Sequence, residues 1–365
     1  FNLFDIKNAV PDITTYRRLL EGTPQPFKST FKIHFNLILR LMSMDSFNIE
    51  NFMRKSLISN EKAKEIKKCE DDIQHFQGIL QKKMVVPLRI DLELLERYDE
   101  IMIKILMASK KLKKQLSREK SNIEQSSKFF QTEYDKFTAI KYVKSDLMKK
   151  EKELVNVKER ISNQINLHCR ILNENEFLQE NNLTEKGLLA ANIQEMHCLA
   201  MADILNDRVF ETLDTAELAA VLSIFTSVSV KDEDSIVKVE HVEAPEKVKN
   251  TIKKIKCAYN KYYDIESYHQ TDFVNDYDIH YNMCELAYRW CKAEDEATCH
   301  KLFEEAIYYN ISRGEFVKAM LKINNIAHEL EKIAELQGNM NLLEKAKSIS
   351  EITLKSIATN QSLYL

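Results

Sequence analysis

Residues 314–337 read GEFVKAMLKINNIAHELEKIAELQ, and Gly338 follows them. The apolar residues recur every three or four positions, which is the spacing of one face of an α-helix. Polar residues recur at the same spacing on another face. The apolar stripe consists of Phe316, Met320, Ile323, Ala327, Leu330 and Ala334, and the polar stripe of Lys318, Lys322, Asn325, Glu329 and Lys332. This predicts a long helix whose polar face is either solvated or in contact with nucleic acid.

The composition extends the helical prediction to the whole chain. The 365 residues include only five Gly and five Pro, while 44% are hydrophobic and 30% are charged. Five glycines are too few for the tight turns of a doubly wound α/β fold, and the abundant Lys, Glu, Leu and Ile favour helices. We therefore predict an all-α fold of two or three domains. Because the net charge is −3, any binding of nucleic acid must depend on local groups.

The cysteines and the start of the chain bear on the compartment. Seven Cys, none of them in a CxxC pair, predict buried free thiols, no metal site and a reducing compartment, either nucleus or cytoplasm. No apolar run is long enough to cross a membrane. The chain opens FNLFDIKN, without an initiator Met or a basic leader, which predicts an intracellular piece of a longer chain.

Two heptad-like stretches in the first half predict a coiled-coil stalk. They cover Leu94–Leu116 and Ile140–Ile161, and a polar connection joins them. Together they predict an antiparallel hairpin that has little core of its own and projects from the body. A basic cluster lies on the first stretch and consists of Lys110, Lys111, Lys113, Lys114, Arg118 and Lys120. It is either a patch that binds phosphate or a partner, or the solvated flank of the coiled coil.

The second half predicts a winged-helix unit followed by a helical bundle. A helix, a short extended pair near Leu178 and a new helix after Thr184 are typical of a winged helix. Asp214 and Glu217 predict a capping box. Trp290, the single Trp, falls on an apolar helix face, which predicts a structural role in the core. Helices are predicted near 195–206, 214–228, 245–264, 276–293, 296–309, 314–337 and 340–360.

Motifs for catalysis and nucleotide binding are missing from this sequence. The glycines at 22, 78, 187, 314 and 338 form neither GxxxxGK[ST] nor GxGxxG, so no recognised phosphate-binding loop is present. The sequence also lacks GxSxG and HExxH. We therefore predict no catalytic residue and no metal-binding residue in this chain.

Three segments carry a resemblance to a known family. The first is LLEGTPQPFKSTFKIHFNLILRLM at 19–42, the second covers 183–225, and the third runs from Tyr281 to the closing SLYL at 362–365. In spacing and residue type they resemble the C-terminal part of superkiller-type DExH RNA helicases, including the DSHCT helical domain. The closing tetrapeptide, identical to that of the family and at the same distance from Gly314, is the most specific signal.

The resemblance implies a role for the helix at 314–337. In the family this ratchet helix lies beneath two RecA-like motor domains and touches single-stranded RNA. The contacting arginine of the family falls at Lys322, a nearby glutamate falls at Asn325, and Lys318 occupies another basic position. We therefore predict that Lys318 and Lys322 contact phosphate and that Asn325 contacts a base or sugar. Trp290 and Gly314 match family positions and are predicted to be structural.

Two departures from the family pattern change these expectations. The arginine that follows the Thr-x-Lys-Gly motif in the family is Leu188 here, and the glutamate four residues later is Asn192. Because both members of an i,i+4 pair are replaced, we predict that a structural ion pair has been lost. The stalk connection lacks strand patterning, so we also predict a reduced arch without the globular β-rich domain of the family.

The predicted organisation has four parts: the end of the second RecA-like domain with linker helices at 1–60, a helical stalk at 61–147, a winged helix at 148–195, and a C-terminal helical bundle at 196–365. The resemblance implies the nucleic-acid-guiding part of an ATP-dependent 3′–5′ RNA helicase. The chain itself is expected to bind no cofactor, since ATP and Mg²⁺ belong to the upstream motor domains.

The resemblance also implies partners for the chain. These are single-stranded RNA, the upstream RecA-like domains and exosome or adaptor proteins, and no membrane is expected. Two alternatives stay open. One is a helical protein-interaction scaffold that acts through the stalk. The other is the equivalent part of a DNA helicase, because no residue of this sequence reads a 2′-hydroxyl group.

Overall fold

The computed structural model describes residues 29, 31–44, 52–53, 55–85, 87–180, 182–231, 233, 235–271 and 277–358. The closing tetrapeptide at 362–365 and most of the predicted segment 1–60 lie outside these residues. No helix in the described part is long and apolar enough to cross a membrane.

The predicted all-α fold is confirmed, because the described part of the chain contains thirteen α-helices and only two short strands. The helices are α1 (Phe35–Met42), α2 (Leu57–Met84), α3 (Leu92–Met107), α4 (Lys110–Gln125), α5 (Phe130–Glu174), α6 (Glu185–Ala191), α7 (Cys198–Asn206), α8 (Thr215–Leu222), α9 (Glu246–His269), α10 (Cys284–Lys292), α11 (Glu296–Tyr308), α12 (Arg313–Gln337) and α13 (Met340–Thr353). The strands β1 (Leu178–Gln179) and β2 (Asn182–Leu183) pair antiparallel between α5 and α6.

The chain divides into two compact units. Unit one consists of Phe1–Phe31 and Asn51–Lys158, and unit two consists of Lys32–Glu50 and Glu159–Leu365. Helix α5 belongs to both, because the division falls within it. Helix α1, which lies in the first segment that resembles the helicase family, belongs to unit two, where the side-chain amide of Asn36 donates to the carbonyl of Ile193.

In unit one, the prediction of one continuous helix over Leu94–Leu116 is wrong. Helix α3 ends at Met107 and α4 begins at Lys110, because Ala108 and Ser109 adopt extended backbone with ψ of 147° and 157°. The break allows α4 to turn back on α3, so the segment predicted as a polar connection is largely helical. A small core holds the turn together and consists of Leu95, Tyr98, Ile101, Leu116, Ile123, Phe130 and Phe137.

The partner of α5 in unit one also differs from the predicted pair of heptad helices. Ion pairs join α5 to α2, with 3.2 Å between Lys150 and Asp72 and 3.2 Å between Lys158 and Glu70. Helix α3 contacts α5 through the hydroxyl of Tyr134, which donates to Asp99 at 2.9 Å. The heptad spacing therefore predicted a helix within α5, but it did not predict that α2 pairs with α5 near Lys150 and Lys158.

Unit two is built around α12, whose neighbours include α13, α8 and α11. The capping box predicted at the start of α8 is confirmed, whereas α10 begins at Cys284 and not near 276, and α13 ends at Thr353 and not near 360. Asp214 and Glu217 form the capping box of α8, with N–H to carboxylate distances of 2.7 and 2.8 Å. Helix α12 has a second capping box from Ser312 and Glu315 and ends at Gly338, whose φ of +63° suits glycine. These caps fix the length of α12 and hence the positions of its side chains.

Candidate nucleic-acid interface

Helix α12 buries its apolar stripe completely. Phe316, Met320, Ile323, Ala327, Leu330 and Ala334 are each at most 1% exposed. Val317, Ala319, Ile326 and Ile333 are buried as well, so the buried arc is wider than the predicted stripe. Only a narrow polar strip remains, on which Lys318, Asn325 and Lys332 are exposed while Lys322 and Glu329 are half-buried.

A polar cavity of about 280 Å³ opens beside this strip. We call it the Lys322 cavity. It is lined by Gln194, Glu195, Met196, His197, Phe225, Ser227, Tyr259, Asp278, His280 and Lys322. The lining combines a primary amine, carboxylates, amide and hydroxyl groups with two aromatic rings and two imidazoles. Such a mixture can accept phosphate, sugar and base of a nucleotide.

The ammonium group of Lys322 forms an ion pair with the carboxylate of Glu195, and each side chain is about one-third exposed, at 33% and 34%. The charge of Lys322 is therefore balanced within the chain. An ion pair between partly exposed groups contributes only about 0.2–1 kcal/mol.

Glu329 holds the wall of the cavity in place. Its carboxylate accepts the backbone N–H of Gln194 at 3.0 and 3.2 Å and that of Glu195 at 3.1 Å. Burial raises the pKa of Glu329, although the two N–H donors act in the opposite direction. Sequence reasoning placed Glu329 on the polar stripe but gave it no role. The structure shows that it positions the residue that pairs with Lys322.

The predicted contact residues are only partly brought together. Lys322 lines the cavity, whereas Lys318 and Asn325 are exposed on α12 and do not line it. Lys318 lies four residues before Lys322, or about 6 Å along the helix axis. The described geometry therefore offers one cation at the cavity and a second cation one turn away.

Residues 180–359 match the DSHCT (NUC185) domain family. The match covers 180 of the 365 residues, just under half of the chain. The chain is also similar to the antiviral helicase SKI2 of Saccharomyces cerevisiae, with 22% identity over 198 residues. That match covers 53% of this chain and only 15% of the length of SKI2. The predicted resemblance to the C-terminal region of a superkiller-type helicase is thereby confirmed.

The Thr-x-Lys-Gly motif at 184–187 joins α6 to α7 and to the turn between α5 and β1. The hydroxyl of Thr184 caps α6 by accepting from Gly187 N–H at 3.0 Å, and it donates to the carbonyl of Glu176 at 2.8 Å. Lys186 forms an ion pair with Asp203 of α7 at 2.5 Å and lies over the ring of Phe177. Burial alone would raise the pKa of Asp203, but Lys186 and Lys261 hold it below its ordinary value.

Leu188 and Asn192, which stand where the family pattern has an ion pair, lie on α6 and at its C-cap. Leu188 is 42% exposed, and the side-chain amide of Asn192 donates to the carbonyl of Leu188 at 2.8 Å. A hydrogen bond to the helix backbone thus occupies the place where the family pattern has an i,i+4 charge pair.

Trp290 lies in the core of the DSHCT domain and has no exposed surface. Its indole N–H donates to the carbonyl of Thr353 at 3.0 Å, and its ring meets that of Phe316 edge-on at 5.0 Å. Trp290 therefore joins α10 to both α12 and α13. Gly314 is in the first turn of α12, where an added Cβ would meet no atom within 4 Å, so the backbone there does not require glycine.

A buried polar network lies behind the Lys322 cavity and escaped the sequence analysis. The imidazole of His197 accepts Ala200 N–H on Nδ1 at 3.2 Å, and its Nε2 lies 2.7 Å from the hydroxyl of Tyr277. That hydroxyl donates to Glu266 at 2.5 Å. Burial, followed by the nearby Glu266, raises the pKa of Tyr277. The partners are 80 and 11 positions apart, and no local pattern connects such positions.

Proposed function

We propose that the DSHCT domain guides a single strand of RNA along α12, as part of a larger ATP-dependent 3′–5′ helicase. The observation that carries this proposal is the position of Lys322 at a polar cavity, where its ammonium group is paired with the partly exposed carboxylate of Glu195. A phosphate would replace Glu195 at Lys322, Lys318 would contact a second phosphate, and Asn325 would contact a sugar or base. The similarity to the antiviral helicase SKI2 supports a role in a helicase.

The double variant Lys318→Gln, Lys322→Gln should bind a labelled single-stranded U-rich RNA on the order of tenfold more weakly. The salt slope is the slope of log affinity against log salt concentration. For a single strand its magnitude falls by about 0.7 for each phosphate contact removed, so the loss of two contacts predicts a decrease of about 1.4. Fluorescence anisotropy of the full chain over a range of KCl concentrations measures both quantities.

A variant with the same change in charge provides the control. Lys301→Gln, Lys347→Gln removes two exposed cations of α11 and α13, which lie neither on the polar strip of α12 nor in the lining of the Lys322 cavity. Equal losses in both variants, or no loss in either, would contradict the proposal. Equal affinity for RNA and for DNA of the same sequence would favour the related DNA helicase.

Glu195→Gln should strengthen binding of the same RNA by about two- to fivefold, because it removes the carboxylate that competes with phosphate for Lys322. The backbone at Gln194 and Glu195 should remain in place, since Glu329 accepts hydrogen bonds from the backbone N–H groups of these residues and not from their side chains. The matched control is Glu335→Gln, which changes the charge equally near the end of α12, where Glu335 lies 3.8 Å from Lys347. Weaker binding by Glu195→Gln would show that Glu195 supports the RNA site.

A further inference from the structure

The first half of α4 in unit one carries positive charge without any acidic residue. Its first nine residues read KKLKKQLSR, and the first turn contains no acid. We call its exposed cations the basic stripe, which consists of Lys110, Lys111, Lys113, Lys114 and Arg118. Leu116 and Ile123 bury the opposite face of α4 in the core of unit one. The basic stripe therefore faces away from that core.

The acidic residues nearest in sequence do not neutralise the basic stripe. Glu119 binds Arg97 of α3 at 3.0 Å. Glu124 accepts the hydroxyl of Tyr98 at 2.6 Å and lies 3.7 Å from Lys120. Within the described residues, no ion pair involves a cation of the stripe, whereas Lys104, Lys141, Lys149, Lys150 and Lys158 of unit one each pair with a carboxylate.

The position of the basic stripe is electrostatically unfavourable in the free chain. The N-terminal end of a helix carries partial positive charge, so lysines in its first turn are repelled by the helix itself. Cations four residues apart also repel each other, as Lys110 and Lys114 do and again Lys114 and Arg118. A bound polyanion would remove both penalties.

The geometry of the stripe identifies the kind of polyanion. Lys110, Lys114 and Arg118 follow one another at four-residue steps, or about 6 Å along the axis, so a repeating chain of negative charges can contact them in order. A membrane surface fits poorly, because Leu116 and Ile123 are buried and Leu112, at 46% exposed, is the one large apolar side chain that α4 could insert into lipid. We propose that the basic stripe of α4 binds the phosphate backbone of a nucleic acid, as a second site in addition to the Lys322 cavity.

The triple variant Lys110→Gln, Lys114→Gln, Arg118→Gln tests this site. With three phosphate contacts at about 0.7 each, the salt slope for single-stranded RNA should fall by about 2, and the affinity should fall on the order of tenfold. Glutamine has a helix propensity similar to that of Lys and Arg, so α4 should remain folded. The measurement is fluorescence anisotropy of the full chain with a labelled U-rich RNA.

The matched control is Lys104→Gln, Lys149→Gln, Lys150→Gln, which removes three cations of unit one that carboxylates already neutralise. Its salt slope should stay the same within experimental error. An equal fall in both variants, or in neither, would overturn the assignment. If a poly-glutamate peptide displaced the RNA equally well at equal charge concentration, the stripe would be a site for acidic protein segments and the nucleic-acid assignment would fail.

Two further measurements keep this proposal separate from the function proposed for the Lys322 cavity. Thermal unfolding followed by circular dichroism should show an unchanged or higher midpoint for the triple variant, and a clearly lower midpoint would contradict the electrostatic argument. Combining the triple variant with Lys318→Gln, Lys322→Gln should weaken RNA binding more than either variant does alone. If only the α4 substitutions lower the slope, the cavity fails as an RNA site and the basic stripe does not.

Discussion

Replacing Gly187 by alanine should destabilise unit two by about 2–3 kcal/mol, which is the upper range for inserting an atom into a packed site. A Cβ at this position would lie 2.1 Å from the carbonyl oxygen of Phe177 and 3.1 Å from a methyl group of Leu183. The carbonyl cannot simply turn away, because it accepts the backbone N–H of Thr184 at 3.1 Å. Relief would require the β1–β2 hairpin and α6 to separate.

Urea unfolding monitored by tryptophan fluorescence measures this effect. Trp290 is the single Trp of the chain and is buried in unit two, so its emission reports on that unit alone. Gly314→Ala is the matched control, because a Cβ there meets no atom within 4 Å and alanine is favoured over glycine in a helix by up to about 1 kcal/mol. Similar unfolding midpoints for the two variants would show that α6 does not approach Phe177 as closely as described.

The sequence predicted those features of the fold that local patterns determine. Periodicity gave α12 and its buried stripe, and the Asp214 capping box was found where the sequence placed it. Periodicity failed at Ala108 and Ser109, because the apolar spacing continues across the break and neither residue is a strong helix breaker. The turn there depends on Leu116 and Ile123 packing on α3, and apolar spacing does not show whether two consecutive stretches continue as one helix or fold back on each other.

The candidate site was predictable only in outline. Lys318, Lys322 and Glu329 all lie on the polar stripe of α12, yet their surroundings differ. Lys318 is exposed, Lys322 is paired with a carboxylate, and Glu329 accepts backbone N–H groups. Spacing shows which face of a helix a residue occupies, but not what lies opposite. Glu195 is 127 positions from Lys322, so the ion pair between them could only be found in the structure.

Trp290→Ala should destabilise unit two by about 3–5 kcal/mol, the usual range for removing a buried aromatic ring from a core. The loss combines the apolar area of the ring, the edge-on contact with Phe316 and the indole hydrogen bond to the carbonyl of Thr353. Because this variant removes the fluorescent reporter, its unfolding should be followed in urea by far-ultraviolet circular dichroism.

Trp290→Phe separates the hydrogen bond from the ring. It retains an aromatic side chain against Phe316 but leaves the buried carbonyl of Thr353 without its donor, which costs about 1–3 kcal/mol. If this variant lost as much stability as Trp290→Ala, the packing would contribute little and the hydrogen bond would dominate. Phe316 precedes Lys322 by six residues, or about 9 Å along α12. The folded phenylalanine variant should therefore bind RNA with unchanged salt slope, because Trp290 supports the helix and does not touch the strand.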